Sequence, residues 1–159
     1  MNHQLENTMY DVAQLFLLPT LILIALLFLF AFWSLGEFAR LAWQRRGDGG
    51  RPLLSAFRGN PTLTEDELDL LAHTLLEAPR IASRVTPMLG LVATMIPMGP
   101  ALKSLSDGDL AQVSHNLTVA FSAVILALIA ASITFWVTNV RRRWLAEEIV
   151  YIERLRQET

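Results

Sequence analysis

Three long apolar stretches, residues 15–36, 85–102 and 117–140, organise this chain of 159 residues. At a rise of about 1.5 Å per residue, each can cross the hydrocarbon core of a bilayer as a helix. The expected fold class is therefore all-α: a three-transmembrane-helix membrane protein with helical extensions beyond the bilayer. The charge around the stretches is one-sided. Of thirteen Lys and Arg residues, seven lie between the first and second stretches and five follow the third. None precedes the first, and Lys103 alone lies between the second and third. Positive charge is retained on the cytoplasmic side, so this asymmetry sets an orientation. Residues 1–14 form a lead outside the membrane, 37–84 a cytoplasmic loop, 103–116 an outer hairpin and 141–159 a cytoplasmic tail.

Composition narrows the function classes. The chain is 53% hydrophobic and 18% charged, against about 25% charged for soluble domains. A net charge of -2 conceals the local segregation. The basic residues read as topology determinants facing anionic headgroups, so the bilayer is the expected surface and no nucleic acid is expected. Cysteine is absent, which removes disulfides and thiolate chemistry. His3, His73 and His115 are far apart and lack metal-ligand spacing; His73 reads as a surface residue. The glycines at 47, 49 and 50 are not followed by the Lys-Ser/Thr of a phosphate-binding loop. No enzyme activity, cofactor or metal is expected. Glu6 and Asp11 replace the basic run of a cleavable signal, so the first stretch is expected to stay as an anchor.

Between the stretches, several local signals stand out. The first span carries Pro19 in its first turns, where a missing donor costs little. Trp33 and Trp43 lie near its inner end, where amphipathic rings favour the interface. The helix is expected to continue below the membrane until Gly47-Asp48-Gly49-Gly50 breaks it. Residues 51–61 read as irregular loop. Thr64 and Glu67 then form a capping box, Leu63 and Leu68 a hydrophobic staple, and an amphipathic helix follows over 65–78. Leu68, Leu71, Leu75 and Leu76 are its expected apolar face, which must pack on other helices, and Pro79 should end or bend it. The second span contains Pro87, Pro97 and Pro100, so protein or a cavity should surround it. A turn at Asp107-Gly108-Asp109 makes the second and third spans an antiparallel hairpin. The tail from Trp144 to Arg156 should be helical, with Leu145, Ile149, Ile152 and Leu155 on one face.

On a helical wheel, the second span gathers Ser83, Pro87, Gly90, Thr94, Pro97, Met98 and Ala101 on one small, mildly polar face. Close packing of helices, with Thr94 bonded back to its own helix, accounts for such a face. So does a channel wall. The third span carries Ala120, Ala123, Ala127, Ala130, Ala131, Thr134 and Thr138 as a packing stripe. Its other side carries His115, Thr118, Ser122, Leu126, Ile129 and Ile133. That row begins polar and turns apolar, as one wall of a ring-shaped channel would. His115, at the outer mouth, is either an interfacial side chain or part of ion access. No Asp, Glu, Lys or Arg lies inside any span, so a titratable group for proton conduction must come from another chain.

The segment Thr86-Pro87-Met88-Leu89-Gly90-Leu91-Val92-Ala93-Thr94-Met95-Ile96-Pro97-Met98-Gly99 resembles the second-to-last span of the MotA/TolQ/ExbB proton-channel family. Pro87, Gly90-Leu91, Thr94 and Gly99 fill its pattern, with Gly99 one place late. Ala120-Phe121-Ser122-Ala123-Val124 is similar to the alanine-rich final span, with Ser122 where a Thr usually stands. The three-span order matches the TolQ/ExbB-like branch. Leu117 stands where TolQ and ExbB carry a Glu, and the inner loop is shorter than usual.

The resemblance implies a stator or ring subunit of an ion-driven, proton-powered motor in the bacterial or archaeal inner membrane. Five copies would form a homopentamer around a dimeric single-span ExbD/TolR/MotB-like partner whose membrane Asp faces a hydroxyl ring of Thr94 and Ser122. The pore-lining set it implies is Thr94, Ser122, Thr118, Gly90, Pro87, Met98 and His115. A second reading is a passive oligomeric membrane scaffold without ion conduction.

Overall fold

A computed structural model describes residues 2–45 and 49–157. It contains the helices α1 (Asn2–Leu15), α2 (Leu17–Arg45), α3 (Pro52–Gly59), α4 (Glu65–Ser106) and α5 (Leu110–Gln157), with no strand among the described residues. Three segments, Asp11–Arg45, Glu65–Ser106 and Leu110–Gln157, are long and apolar enough to cross a membrane. The protein is thus an all-α, multi-pass membrane protein, as the sequence implies. The chain divides into two compact units. One combines Met1–Phe30 with Ser83–Ser132, the other Ala31–Ala82 with Ile133–Thr159.

In the first unit, Pro19 accounts for the separation of α1 from α2. A proline ring clashes with the carbonyl four residues back, and that residue is Leu15, the end of α1. Phe16 bridges the break, its carbonyl accepting bonds from the Thr20 amide at 3.1 Å and the Thr20 hydroxyl at 2.7 Å. The α4–α5 connection is the tight turn expected at 107–109. Gly108 takes φ +78°, which glycine adopts without a steric penalty. Asp109 then caps α5, its carboxylate accepting the Gln112 N–H at 3.0 Å. The alanine stripe of α5 packs as expected, with Ala120, Ala123, Ala127 and Ala130 all buried. Ile24 of α2, Ala93 and Leu89 of α4, and Ala123 and Ala127 of α5 meet in one core.

The prolines of α4 leave the helix continuous. Pro100 has no N–H to offer the Ile96 carbonyl, and hydrocarbon offers none either. Gln14 of α1 fills the gap, donating from Nε2 to Ile96 O at 3.3 Å.

In the second unit, α4 starts at its capping box. Thr64 N–H donates to Glu67 Oε2 at 2.8 Å, and Glu67 N–H returns a bond to Thr64 Oγ1 at 3.4 Å. Leu63 and Leu68 join the same cluster, as a staple should. Two expectations need correction. The helix expected over 65–78 does not end at Pro79. Leu68, Ala72, Leu76, Pro79 and Ala82 form one continuous buried face, and packing along it overrides the local cost of proline. Nor is the buried face the expected one. Ala72 belongs to it, whereas Leu71 and Leu75 are 39% and 37% exposed.

A third correction concerns 51–61, which is not irregular: it contains α3. Pro52 stands at the start of this helix, where its missing N–H is no loss. Arg51, the residue before it, provides no side-chain cap. The cap comes instead from Glu148 of α5, whose Oε2 accepts the Leu53 N–H at 3.0 Å. Oε1 of the same carboxylate meets Arg45 Nη2 at 2.8 Å. Arg45 in turn lies 4.5 Å over the Trp144 ring. Beneath this junction, Leu53 and Leu54 pack with Leu68, Ala72, Leu76, Leu145 and Ile152, bordered by Phe57, Ile149 and Leu155. The tail face Leu145–Ile149–Ile152–Leu155 is therefore where the sequence puts it. Arg156 stacks over Phe57 and donates to the Leu63 carbonyl.

The end of α2 is fixed in this unit as well. Phe38 stacks on Trp144 at 4.9 Å and meets Trp136 edge-on at 5.0 Å, and Glu37 pairs with Arg141 at 3.6 Å. Gly47 and Asp48 of the expected helix break lie outside the described residues. Just beyond them, Gly49 N–H donates to Gln44 O at 3.1 Å. Gly50 takes φ +76°, and a side chain there would meet the Leu41 carbonyl at 3.0 Å.

Burial pushes the Glu148 carboxyl up from its ordinary value. The Leu53 and Leu54 amides and the Arg45 and Arg51 guanidiniums pull the other way without cancelling it. A carboxyl raised on folding contributes stability that is full below its unfolded value and is lost as pH rises through its folded value. Acidification therefore does not release α3 through this group. Glu148→Ala strands both Arg45 and the Leu53 amide and should cost about 3 kcal/mol. Amide hydrogen exchange in α3 should then be roughly a hundredfold faster than in the wild-type chain. Glu148→Gln keeps an acceptor and removes the buried charge, so it should cost less. Equal loss in the two variants would contradict the balance described here. Gln14→Leu leaves the Ile96 carbonyl without a donor. It should lower stability by about 1–3 kcal/mol, read as a lower thermal midpoint in detergent, while Gln14→Asn should be intermediate.

Candidate functional site

All seven candidate channel residues fall in the first unit, on the α4–α5 hairpin. Their register follows from Gly90. A Cβ built on Gly90 would sit 2.9 Å from the Ala127 Cβ and 3.4 Å from Val124, so only glycine fits without displacement. Gly90 is thus level with 124–127 of the antiparallel partner. One turn further along α4, and the same distance back along α5, brings Thr94 level with Ser122. By the same step Met98 lies level with Thr118, and Pro87 level with Ile129.

Their burial differs, however. Gly90 is buried and faces α5. Thr94 and Pro87 are half-buried at the rim of the packed face. Met98, His115, Thr118 and Ser122 are exposed on the isolated chain. The α5 row continues through Leu126 and Ile129, also exposed. The hairpin therefore sets the half-buried Thr94 of α4 at the height of the exposed Thr118–Ser122 row of α5.

Each hydroxyl is already used once as a donor. Thr94 Oγ1 donates to Leu91 O at 2.7 Å, Thr118 Oγ1 to Ser114 O at 2.8 Å, and Ser122 Oγ to Thr118 O at 2.8 Å. With the proton committed to the helix, the oxygen lone pairs remain as acceptors. Such oxygens can accept a bond from a protonated acid or help coordinate a cation. They cannot carry charge themselves, and no Asp, Glu, Lys or Arg lies within 85–102 or 117–140 to do so.

Two features of the unit escaped the sequence reading. Gln14 completes the backbone of the proline-bearing span from 82 residues away, a distance no local pattern reveals. Asn116, next to the position of the missing glutamate, has an amide nitrogen that is buried and unpartnered, and its Oδ1 lies 3.5 Å from Gln112 Nε2. A polar residue at the start of an apolar run was the available signal. Among the described residues, no group of three or more His, Cys, Asp or Glu is arranged to hold a metal ion.

Comparison with known proteins adds a direct finding. The profile of the MotA/TolQ/ExbB proton channel family matches residues 65–154, more than half of the chain and all but the last three residues of the hairpin just described. No curated protein and no solved structure matches the chain. The long α4–α5 hairpin, its alanine seam closed by Gly90, its hydroxyls in spans free of charge and the matched profile have one consistent reading: the chain belongs to the MotA/TolQ/ExbB proton channel family.

Proposed function

We propose that copies of this chain close into a ring, a pentamer by analogy with the family, and that the ring converts ion flow into movement of a single-span partner. The outward α5 row carries this reading. Thr118 and Ser122 are exposed on the isolated chain, in a segment where exposure would mean contact with lipid. A hydroxyl gains nothing from acyl chains, but it gains a bond to any polar guest in a shared channel. In a ring, the α5 row of one copy comes beside the Thr94 rim of the next. Thr94 of one copy and the Thr118–Ser122 row of its neighbour then line a common wall.

Thr94, Thr118 and Ser122 are the acceptor groups of that wall. Met98 and Pro87 shape it, Gly90 sets the spacing of the hairpin behind it, and His115 lies at its outer mouth. The guest is a dimeric helix resembling ExbD, TolR or MotB, with an Asp at membrane depth. That Asp is the titratable group the ring itself lacks. Protonation changes its preferred contact from one that needs strong donors to one that weak acceptors satisfy. The amino terminus lies outside and the carboxyl tail in the cytoplasm, consistent with the clustering of basic residues. The inner membrane of a bacterium or archaeon is the setting.

The test is co-reconstitution of the full chain with a single-span ExbD/TolR/MotB-like protein that carries a membrane Asp, followed by ion flux into proteoliposomes. Thr94→Val and Ser122→Ala should each lower flux about tenfold, the equivalent of one hydrogen bond to an ionisable group. The native mass of the complex should not change. Undiminished flux in both variants would remove these hydroxyls from the pathway. A ring that assembles without a partner and passes no ions would instead be the passive scaffold.

A further inference from the structure

The outward face of α2 carries a feature that ion conduction does not use. Trp33, Gly36, Arg40 and Trp43 recur at three- and four-residue spacing and so share one side of the helix. Trp33 and Trp43 are 75% and 80% exposed, among the most exposed large side chains of the chain. Gly36 has nothing within 4 Å of the position where a Cβ would stand, so the helix has an open notch there. Trp33, Gly36, Glu37 and Arg40 bound a hollow of about 430 Å³ at the notch. A second hollow, bounded by Arg40, Trp43, Gln44 and Gly49, continues it along the helix.

The charge in this hollow is unbalanced. Glu37 also borders it, but that carboxylate pairs with Arg141 at 3.6 Å. No hydrogen bond, ion pair or ring contact joins Arg40 to the described residues. Arg40 lies one turn beyond Gly36 and borders the same hollow, and nothing stands within 4 Å of where a Gly36 side chain would begin. Trp33 lies in the last turn of the apolar stretch, at the depth where indole N–H groups meet headgroups. A cation, an indole donor and a vacant notch are thus aligned where hydrocarbon gives way to charge.

We propose that this face binds one anionic phospholipid, with its phosphate at Arg40, its glycerol region in the Gly36 notch and its chains along Trp33. Such binding is independent of the ring and of ion flow. It requires only that the basic ends of the helices meet a leaflet containing anionic lipid.

The full-length chain in nanodiscs provides the test, with lipids carrying brominated chains as quenchers of tryptophan fluorescence. Brominated phosphatidylglycerol should quench the wild-type chain more strongly than brominated phosphatidylcholine at the same mole fraction. Trp33→Phe should abolish most of that difference. Arg40→Gln should weaken the preference for phosphatidylglycerol about fivefold, the loss expected for one basic side chain at the surface. Gly36→Leu should weaken it as well, by filling the notch without changing charge. Equal quenching by the two lipids, or an unchanged preference in both Arg40→Gln and Gly36→Leu, would overturn the assignment. Protection of Trp33 from both quenchers would do the same, because it would mean that another protein surface covers the face.

Discussion

A bilayer offers no hydrogen-bond partner to a backbone group, and much of this structure can be read as a response to that constraint. Three long helices satisfy their own backbones almost everywhere. The exceptions are where the architecture shows itself. Pro100 opens one carbonyl in α4, and α1 sends Gln14 to close it. Pro19 opens another place in the chain, and Thr20 bonds back to Phe16 there. The hydroxyls of Thr94, Thr118 and Ser122 each turn their proton onto their own helix. A hydroxyl proton left unbonded in hydrocarbon would cost more than the modest bending that back-bonding introduces.

The second unit solves the same problem with charge. Helix α3 has only eight residues and is too short to hold itself together, and its N-terminal amides require an acceptor. Glu148 supplies it from 95 residues away and is itself neutralised by Arg45. A buried ion pair often gains little over an apolar pair of the same size, because desolvation offsets the Coulomb attraction. The pair at Glu148 has a further use: it ties α2, α3 and α5 at one point. That favours a role in fixing arrangement over one in raising stability. The upward displacement of the Glu148 carboxyl agrees, since burial outweighs the partners that favour its charge.

What could be read in the sequence, and what could not, follows from the range of the forces involved. The capping box at Thr64, the turn at Gly108, the alanine stripe of α5 and the apolar face of its tail are local patterns, and each was legible. Helix α3 was not, because its cap is remote and its flanking residues carry none of their own. Pro79 misled because proline's local cost is real, and only the buried face from Leu68 to Ala82 shows that packing exceeds it. Leu71 and Leu75 misled for a related reason. Four leucines suggest a face by composition, but the axis of contact passes through Ala72, whose small side chain lets α4 lie close. For the channel residues, the sequence identified the hydroxyls. The level match of Thr94 with Ser122 needed the Gly90–Ala127 contact.

On the function proposed above, that level match bears on why this chain presents hydroxyls rather than carboxylates within 85–102 and 117–140. A net hydrogen bond from a hydroxyl contributes about 0.5–1.5 kcal/mol. Moving one charge through 100 mV of membrane potential releases about 2.3 kcal/mol. On that reading, each contact between a hydroxyl and a guest acid is weaker than the step that must break it, and a ring of them allows movement. A fixed arginine in the wall would reverse the order. A close charge pair in that environment is worth several kilocalories per mole and would hold the guest in place. On the reading proposed here, the lack of ionisable groups in 85–102 and 117–140 is a working property of the wall. The charge must be on the part that moves, and the ring must bind it weakly enough to let it go.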